Sequence, residues 1–348
     1  MSTMPSTALR RDGSFDSKGR LVFRRALVWD NVWPVDLKGE EQAGNDWTML
    51  DRFAKAGVGV LGVTLAGDNH NVGQAIELVG WARRFLLAHG DRYALIESVN
   101  DVLLAHSSGK LAIALQFEGT RCFERNLDLI EIYFKLGVRQ VILAFNNSNS
   151  VGCGCAEESD SGLTKFGRRF VRELQAVGML VDLSHVGHRT SLEALEIATK
   201  PAVFSHSNVY AIQSSFRNIH DDQIQACAAT GGLIGVSGSS EYLGDRACAT
   251  ETIFRHLDYL VQKVGSEHVG IGLDIVFDNT AMNDWVRNRP DEWPMAADPK
   301  WPGFKYAMPE QLEILTGLML SHGYSEEAVL NILGGNYLRI CRSAWAPG

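Results

Sequence analysis

The sequence of 348 residues lacks any apolar run near the ~20 residues that a membrane-spanning helix needs, so it predicts no transmembrane segment. It also lacks an excess of positive charge, because 41 acidic residues against 33 Lys and Arg residues give a net charge of −8. Proteins that bind nucleic acids or anionic membranes through charge present a basic face. We therefore expect neither a nucleic acid nor a membrane as a partner.

Several motifs of known enzyme classes are also missing. The chain has no Gly-rich phosphate loop after its first predicted strand, no Gly-x-Ser-x-Gly elbow and no His-Glu-x-x-His pair. Its six cysteines are scattered, and none forms the Cys-x-x-Cys pair of a structural zinc site. We interpret them as reduced thiols of a cytoplasmic protein. Residues 1–20 are polar and contain no apolar core of a secretion signal, so they are predicted to be a disordered tail.

What the chain does contain, after residue 24, is a regular alternation of short apolar segments of β type with helical segments. Eight such strands are predicted, at residues 25–30, 57–64, 110–117, 137–144, 178–183, 201–205, 232–237 and 269–273. Strands that are apolar throughout are typical of a parallel sheet covered on both faces. Eight of them in about 250 residues favour a closed (β/α)8 barrel, or TIM barrel, over an open sheet. No linker interrupts the pattern, so residues 21–348 are predicted to form a single domain.

Four residues suited to metal chemistry follow four of these strands: Glu118, His185, His206 and Asp274 come after the third, fifth, sixth and eighth. The carboxyl ends of barrel strands share one rim, where barrel enzymes place their active sites. Two imidazoles and a carboxylate are the protein ligands of many catalytic zinc sites, which keep one position open for water. We predict that Glu118, His185 and His206 bind zinc and that Asp274 moves protons. Each residue alone also has a plain structural explanation, such as a turn aspartate.

Arg217 lies in the loop after the sixth predicted strand. A guanidinium group there is suited to bind the carboxylate of a substrate with two parallel hydrogen bonds. The alternative is an ordinary ion pair with Asp221 or Asp222, which follow closely in the chain.

Six segments of the chain resemble, in order, the renal (membrane) dipeptidase family. They include Val181-Asp-Leu-Ser-His185 and Val203-Phe-Ser-His-Ser207, and they lie at residues 162–168, 178–186, 203–207, 217–221, 269–274 and 334–339. The resemblance covers roughly residues 24–341. It implies an amidohydrolase-like (β/α)8 barrel that hydrolyses dipeptides at a two-zinc site, usually as a homodimer.

The resemblance also implies a task for each candidate residue. Glu118 would match the glutamate that bridges two zinc ions, and His185 and His206 the histidines of the second zinc. Asp274 would match the aspartate that serves the first zinc and proton transfer, and Arg217 the arginine that receives the terminal carboxylate of the substrate.

The chain departs from the family pattern after its first strand. The family carries an Asp-Gly-His-x-Asp stretch there, whose histidine and second aspartate bind the first zinc. This chain reads Asp30-Asn-Val-Trp-Pro34, so that Val32 and Pro34 take those places, and neither side chain binds metals. A family histidine after the fourth strand is replaced by Phe145 or its asparagine neighbours. Asp68 or His70, after the second strand, are the alternative ligands for a two-zinc version.

These observations lead to two hypotheses of different class. The first is a hydrolase of dipeptides or dipeptide-like amides with one zinc ion per chain, rather than two. The second, prompted by the loss of ligands at Val32 and Pro34, is a non-hydrolytic descendant or pseudoenzyme that binds or isomerises a small metabolite derived from an amino acid.

Overall fold

A computed structural model describes residues 17–34 and 47–345. Its strands form one parallel sheet of nine: β1 Trp29–Pro34, β2 Val60–Gly67, β3 Tyr93–Leu95, β4 Leu111–Glu118, β5 Val138–Ile142, β6 Leu180–Asp182, β7 Val203–Phe204, β8 Leu233–Val236 and β9 Val269–Ile271. All except β3 follow one another around the sheet in the order β1-β2-β4-β5-β6-β7-β8-β9, and β3 pairs with the first half of β4. The predicted eight-stranded parallel barrel is confirmed.

Helices follow nearly every barrel strand. They are α1 Ser17–Arg25, α2 Leu50–Lys55, α3 Val72–Ala88, α4 Val99–Ser107, α5 Asp128–Lys135, α6 Lys165–Val177, α7 His188–Ile197, α8 Asp221–Ala229, α9 Ser240–Leu243, α10 Thr250–Val264, α11 Asn279–Arg287, α12 Gln311–Ser321, α13 Glu326–Leu330 and α14 Asn336–Ala344. Local sequence sets several of their ends. Asn71 and Gln74 form a reciprocal capping box at the start of α3, and Gly178 ends α6 in a left-handed conformation. Among these described helices, none combines the length and the apolarity required to cross a membrane.

Two predicted boundaries differ from the structure. The first predicted strand starts too early, because Arg25 ends α1 and β1 begins at Trp29. Ser17–Arg20 of the predicted tail are the first turn of α1, which is anchored because Val22 and Phe23 are buried in the core. The remainder of that predicted tail, residues 1–16, lies outside the described residues. Within residues 278–307, a segment rich in Trp, Pro and Asp, α11 forms, with Asp278 capping its first N–H groups.

A buried carboxyl group joins the first and last strands of the barrel. β1 and β9 lie side by side, and Asp30 on β1 accepts a hydrogen bond of 2.8 Å from the backbone N–H of Leu273, just after β9. Between the neighbouring strands β7 and β8, the barrel requires the two backbones to approach closely. A Cβ atom on Gly235 of β8 would lie 2.0 Å from the carbonyl oxygen of Ser205, so only glycine fits there.

The inner face of α10 contains a histidine that is buried in its neutral form. His256 accepts a hydrogen bond from the backbone N–H of Val209 through Nδ1 (3.2 Å) and donates through Nε2 to the carbonyl oxygen of Leu243 (3.3 Å). Burial lowers the pKa of His256 from 6.5 to about 4. The unfolded chain therefore binds a proton between pH 6.5 and 4 that the folded chain does not.

We predict that the stability contributed by His256 is fully present above pH 6.5 and is lost as the pH falls toward 4. The difference in free energy of unfolding between the wild type and His256→Gln should shrink by about 1.4 kcal/mol per pH unit in that window. Denaturant unfolding at a series of pH values measures it, with the exposed His106→Gln as the matched control. A difference that stays constant from pH 7 to 4 would contradict the assignment.

Candidate metal centre

Two histidines that follow β6 and β7 meet at the barrel rim. The Nε2 atoms of His185 and His206 are 2.9 Å apart, and both side chains are buried. His185 has a left-handed backbone (φ 64°), unusual for a residue with a side chain, and its carbonyl oxygen accepts a hydrogen bond from Cys155 N–H. The expectation that these two imidazoles come together agrees with this geometry.

Hydrogen bonds at the far side of each ring determine where the protons lie. His185 Nδ1 is 2.7 Å from Asn146 Oδ1, which can only accept, so Nδ1 carries the proton and Nε2 a lone pair. The Cys155 thiol donates to the same oxygen, in agreement with this amide orientation. His206 Nδ1 is 2.7 Å from the Ser205 hydroxyl, which also lies 3.3 Å from the Ser184 hydroxyl. When the Ser205 hydroxyl accepts from His206, Nδ1 carries the proton and the Nε2 lone pairs of both rings face one another.

A cation bound by the two Nε2 lone pairs would stabilise this arrangement. Burial lowers the pKa of His185 and of His206 well below the ordinary value, and the nearby charge of Arg217 lowers both further. The rings are therefore neutral at neutral pH, so an extra proton is not available to bridge them. Neutral imidazoles with their outer nitrogen tethered to a fixed partner are typical metal ligands. The donor chemistry of this pair fits a divalent metal ion.

Glu118, at the end of β4, lies in the wall of a small cavity beside His185. This cavity, called the chamber below, has a volume of about 20 Å³, roughly the space for one water molecule. Thr64 donates to Glu118 Oε1 at 3.1 Å. Burial, with a smaller contribution from the charge of Asp182, raises the pKa of Glu118 to about 7. The carboxyl group can therefore be either protonated or ionised near neutral pH.

The structure does not assemble all three predicted ligands around one point. Within residues 17–34 and 47–345, no group of three or more His, Cys, Asp or Glu side chains is placed so that it could hold a metal ion. His185 and His206 are in contact, and Glu118 lines the chamber that His185 also lines. Metal binding by Glu118, His185 and His206 together therefore stays a prediction. The structure shows the contact between the two imidazoles.

Asp274 lies after β9 and faces the same chamber. Its backbone is left-handed (φ 58°). Burial raises the pKa of Asp274 well above its ordinary value, and the neighbouring Glu118 raises it further. A raised pKa favours the protonated form of the carboxyl group, which suits a residue that accepts and returns a proton.

The two positions that depart from the family pattern are apolar in space as well as in sequence. Val32 is fully buried, and Pro34 lines the chamber, so the place of the first metal ion is occupied by carbon atoms. His70 is buried and accepts a hydrogen bond from Gly67 N–H through Nδ1, while its Nε2 has no partner among the described residues. It belongs to no metal-binding group in that part of the chain.

The carboxylate of Asp68, the other alternative ligand, already accepts four hydrogen bonds. Its Oδ1 accepts from the backbone N–H groups of Thr120 and Arg121 (2.7 and 3.0 Å). Its Oδ2 accepts from Phe145 N–H and from the Asn149 side chain, both at 2.9 Å. A carboxylate has about four acceptor sites, and these four donors use them. Asp68 therefore ties the loop after β4 to the loop after β5 and has no lone pair left for a metal.

An aromatic cover over the chamber was missed by the sequence analysis. Phe145, in the place of the expected histidine, stacks on His185 with ring centroids 4.2 Å apart. Trp293 packs edge-on against both rings. These rings belong to a cluster formed mainly by the segment after β9: Tyr242, Trp285, Val286, Trp293, Trp301, Phe304 and Tyr306. The concentration of Trp and Pro at residues 278–307 was the available signal.

Arg217 is buried behind the imidazole pair. It donates to the Ser207 hydroxyl (3.0 Å) and to the His206 carbonyl oxygen (2.9 Å), and its Nε–H has no partner in the described part of the chain. It lines a cavity of about 200 Å³ that His185 also lines. The guanidinium group thus holds the His206 backbone in place and keeps one donor free.

The alternative ion pair for Arg217 is wrong. Asp221 pairs instead with Lys263 (2.7 Å) and accepts a hydrogen bond from the Tyr259 hydroxyl, and Asp222 contacts His188 Nε2 at 2.9 Å. Both aspartates lie on α8, away from the guanidinium.

Comparison with known proteins indicates the family of the chain. The family model described as membrane dipeptidase (peptidase family M19) matches residues 54–285. This chain belongs to the membrane dipeptidase family. An uncharacterized dipeptidase of Schizosaccharomyces pombe is 31% identical over 58% of this chain and 51% of its own length. Dipeptidase tcpJ of Claviceps purpurea is 29% identical over 77% of this chain and 59% of its own length, so this chain spans little more than half of these relatives.

The fold extends beyond the match of the family model. The crystal structure of an amidohydrolase from Pseudomonas aeruginosa superposes with a TM-score of 0.84 at 23% identity and covers 94% of this chain and 99% of that one. The barrel of this member of the membrane dipeptidase family is thus shared with a solved amidohydrolase over almost its whole length.

We predict that Asn146→Ala weakens metal binding by about ten- to hundredfold, because His185 loses the partner that fixes its tautomer and ring orientation. Titration of the metal-free protein with Zn²⁺ measures the change. Asn100→Ala, an exposed substitution on α4, is the matched control and should bind as the wild type does. An Asn146→Ala variant with unchanged affinity would show that the imidazole pair is not the metal site.

Proposed function

We propose that this chain is a metal-dependent hydrolase that cleaves the amide bond of a dipeptide or a dipeptide-like substrate. The observation that carries the proposal is the convergence of two neutral imidazole nitrogens, 2.9 Å apart, beside a chamber lined by Glu118 and Asp274. Membership of the membrane dipeptidase family supports the same reaction.

One Zn²⁺ ion per chain is the proposed cofactor, held by His185, His206 and Glu118. Among the described residues, the Glu118 side chain has a single hydrogen bond, from Thr64, so its carboxylate can turn to a metal at the cost of that bond. Val32 and Pro34 are apolar and offer no metal ligand, which favours one metal ion per chain rather than two. When bound, the ion supplies Lewis-acid polarisation of the substrate carbonyl and lowers the pKa of water toward ~7.

Asp274 is proposed to transfer the protons of the reaction. It accepts a proton from the attacking water as the water oxygen bonds to the carbonyl carbon, and returns it to the amide nitrogen as the C–N bond breaks. The raised pKa of its carboxyl group makes the protonated form stable enough to act as the acid in the second step. The products are a carboxylic acid and an amine.

Arg217 is proposed to bind the terminal carboxylate of the substrate in the 200 Å³ cavity. Its unpartnered Nε–H is the donor that the structure leaves free for this purpose. An anion there also relieves the cost of burying a guanidinium group without a carboxylate partner.

The non-hydrolytic alternative is not favoured. It was prompted by the missing ligands, but the imidazole pair, the proton carrier Asp274 and the free donor of Arg217 are present together. Turnover of any dipeptide that disappears in His185→Ala would exclude it.

A cytoplasmic location and a homodimeric state complete the proposal. The six cysteines are all free thiols, which supports a reducing compartment. Exposed apolar side chains on α3 and α4, such as Leu87 and Leu104, offer surface that a second copy of the chain could cover. Light scattering of the purified protein would measure the oligomeric state.

We predict that protein purified without chelator contains about one zinc ion per chain, and that His185→Ala and His206→Ala lose it, because each removes half of the imidazole pair. Elemental analysis measures both. The double substitution Val32→His with Pro34→Asp restores the missing ligand types next to the chamber and should raise the content toward two. A wild-type chain that is empty of metal and inert to added Zn²⁺ would refute the proposal.

We further predict that Asp274→Asn lowers kcat on a dipeptide by about 10²- to 10⁴-fold, because the amide cannot accept the proton of the attacking water. The zinc content of the variant should stay near that of the wild type, which separates proton transfer from metal binding. The exposed Asp91→Asn serves as control. Unchanged kcat in Asp274→Asn would assign proton transfer to another group.

A further inference from the structure

Three cavities at the barrel rim are linked by shared wall residues. The chamber shares His185 with the 200 Å³ cavity that contains Arg217. It shares Glu118 and Phe145 with a third cavity of about 710 Å³, called the wide cavity below. A substrate whose amide bond lies at the chamber therefore has room on both sides. With its terminal carboxylate at Arg217, as the proposed function has it, its amino-terminal residue lies in the wide cavity.

Three arginines line the wide cavity. Arg121 and Arg125 belong to the turn after β4, and Arg289 follows α11. None of them forms an ion pair within 4.0 Å in the part of the chain that the structure describes, whereas many of its other arginines do. Arg289 is held in position, because its Nη1 donates to the Trp285 carbonyl oxygen and its guanidinium carbon lies 4.4 Å from the Trp285 ring.

Four carboxyl groups share the wall of this cavity with the three arginines: Asp68, Glu118, Glu124 and Glu292. Asp68 accepts its four hydrogen bonds from neutral N–H donors, and Glu118 also lines the chamber. No carboxyl group of the described residues lies within ion-pair distance of Arg121, Arg125 or Arg289, so these guanidinium groups are available to an anionic ligand. Burial also raises the pKa of Glu292, which disfavours its charged form.

The backbone at this wall is unusual. Glu124 and Arg125 are consecutive residues with left-handed φ angles of 44° and 59°. Glycine would adopt this conformation without steric cost, whereas residues with a Cβ atom are disfavoured there. Backbone conformations of this kind persist where the side chains themselves are needed, often at binding sites.

We propose that the wide cavity binds the side-chain carboxylate of an acidic amino-terminal residue, with Arg121 and Arg289 as its direct partners and Arg125 as a nearby charge. The α-ammonium group of the same residue requires an anionic partner, which Glu124 in the same wall provides. The preferred substrates are then dipeptides that begin with Glu or Asp. This proposal rests on the proposed function for the direction in which the substrate lies.

The test compares Glu-Ala with Gln-Ala, which has nearly the same shape without the charge, using both stereoisomers of the second residue. The wild type should prefer Glu-Ala in kcat/KM by about ten- to hundredfold, the contribution of one or two charge-assisted hydrogen bonds. Arg121→Gln and Arg289→Gln should each reduce this preference about tenfold and leave Gln-Ala within about twofold of the wild type. The exposed Arg172→Gln on α6 is the matched control and should keep the full preference.

Binding measurements separate this proposal from the proposed function. Calorimetric titration of Asp274→Asn with both dipeptides measures affinity under slow turnover. If no dipeptide is hydrolysed by the wild type, but Glu-Ala binds more tightly and needs Arg121 and Arg289, the hydrolase assignment fails and the anion-binding pocket stands. If hydrolysis occurs without a preference for Glu-Ala, or with one that both arginine variants retain, the pocket is refuted and the hydrolase stands.

Discussion

Three buried carboxyl groups, one half-buried carboxyl group and a buried guanidinium group lie together inside the barrel, and this charge imbalance governs the rest of the site. The carboxyl groups are those of Asp30, Glu118, Asp182 and the half-buried Asp274, and the guanidinium group is that of Arg217. If all were ionised, four negative charges and one positive charge would leave a total of −3 in a space with little water, which is very costly. Protons or a bound cation must make up the difference. Burial raises the pKa of Asp30 and of Glu118 to about 7, and the charge of Asp182 contributes at Glu118.

Asp182 is the carboxyl group that the protein itself satisfies most completely. It accepts from the backbone N–H groups of Ser184 and Ser205, and from the side chain of Gln140. Gln140 in turn accepts from Asn31, so this network crosses the barrel from β6 to β1. Because the Ser205 backbone N–H donates to Asp182 and its hydroxyl contacts His206 Nδ1, the ring of His206 is tied to the barrel core. The imidazole pair is thus oriented before any metal binds, which lowers the reorganisation that binding requires.

The sequence predicted the features that depend on periodicity and on strand ends. Uninterrupted apolar strands alternating with helices can bury both faces only in a parallel barrel, and this topology alone brings the residues that follow β6 and β7 to one rim. It could not place Glu118 relative to the imidazoles, because that depends on a side-chain rotamer and on the hydrogen bond from Thr64. Nor could it reveal that Asp68 is saturated by backbone donors, since those donors come from loops more than 50 residues away.

At three positions, apolar side chains stand where the family pattern has polar residues, and the three changes have a common physical effect. Val32, Pro34 and Phe145 remove ligands or polar contacts, and the last two also reduce the chamber to the size of one water molecule. Removing water from around charges strengthens each remaining electrostatic interaction, because the local dielectric constant falls. The chamber therefore relies on the few polar groups in its wall, among them Glu118, His185 and Asp274. Because it has space for about one water molecule, any larger part of a bound molecule must lie in the two larger cavities that share its wall residues.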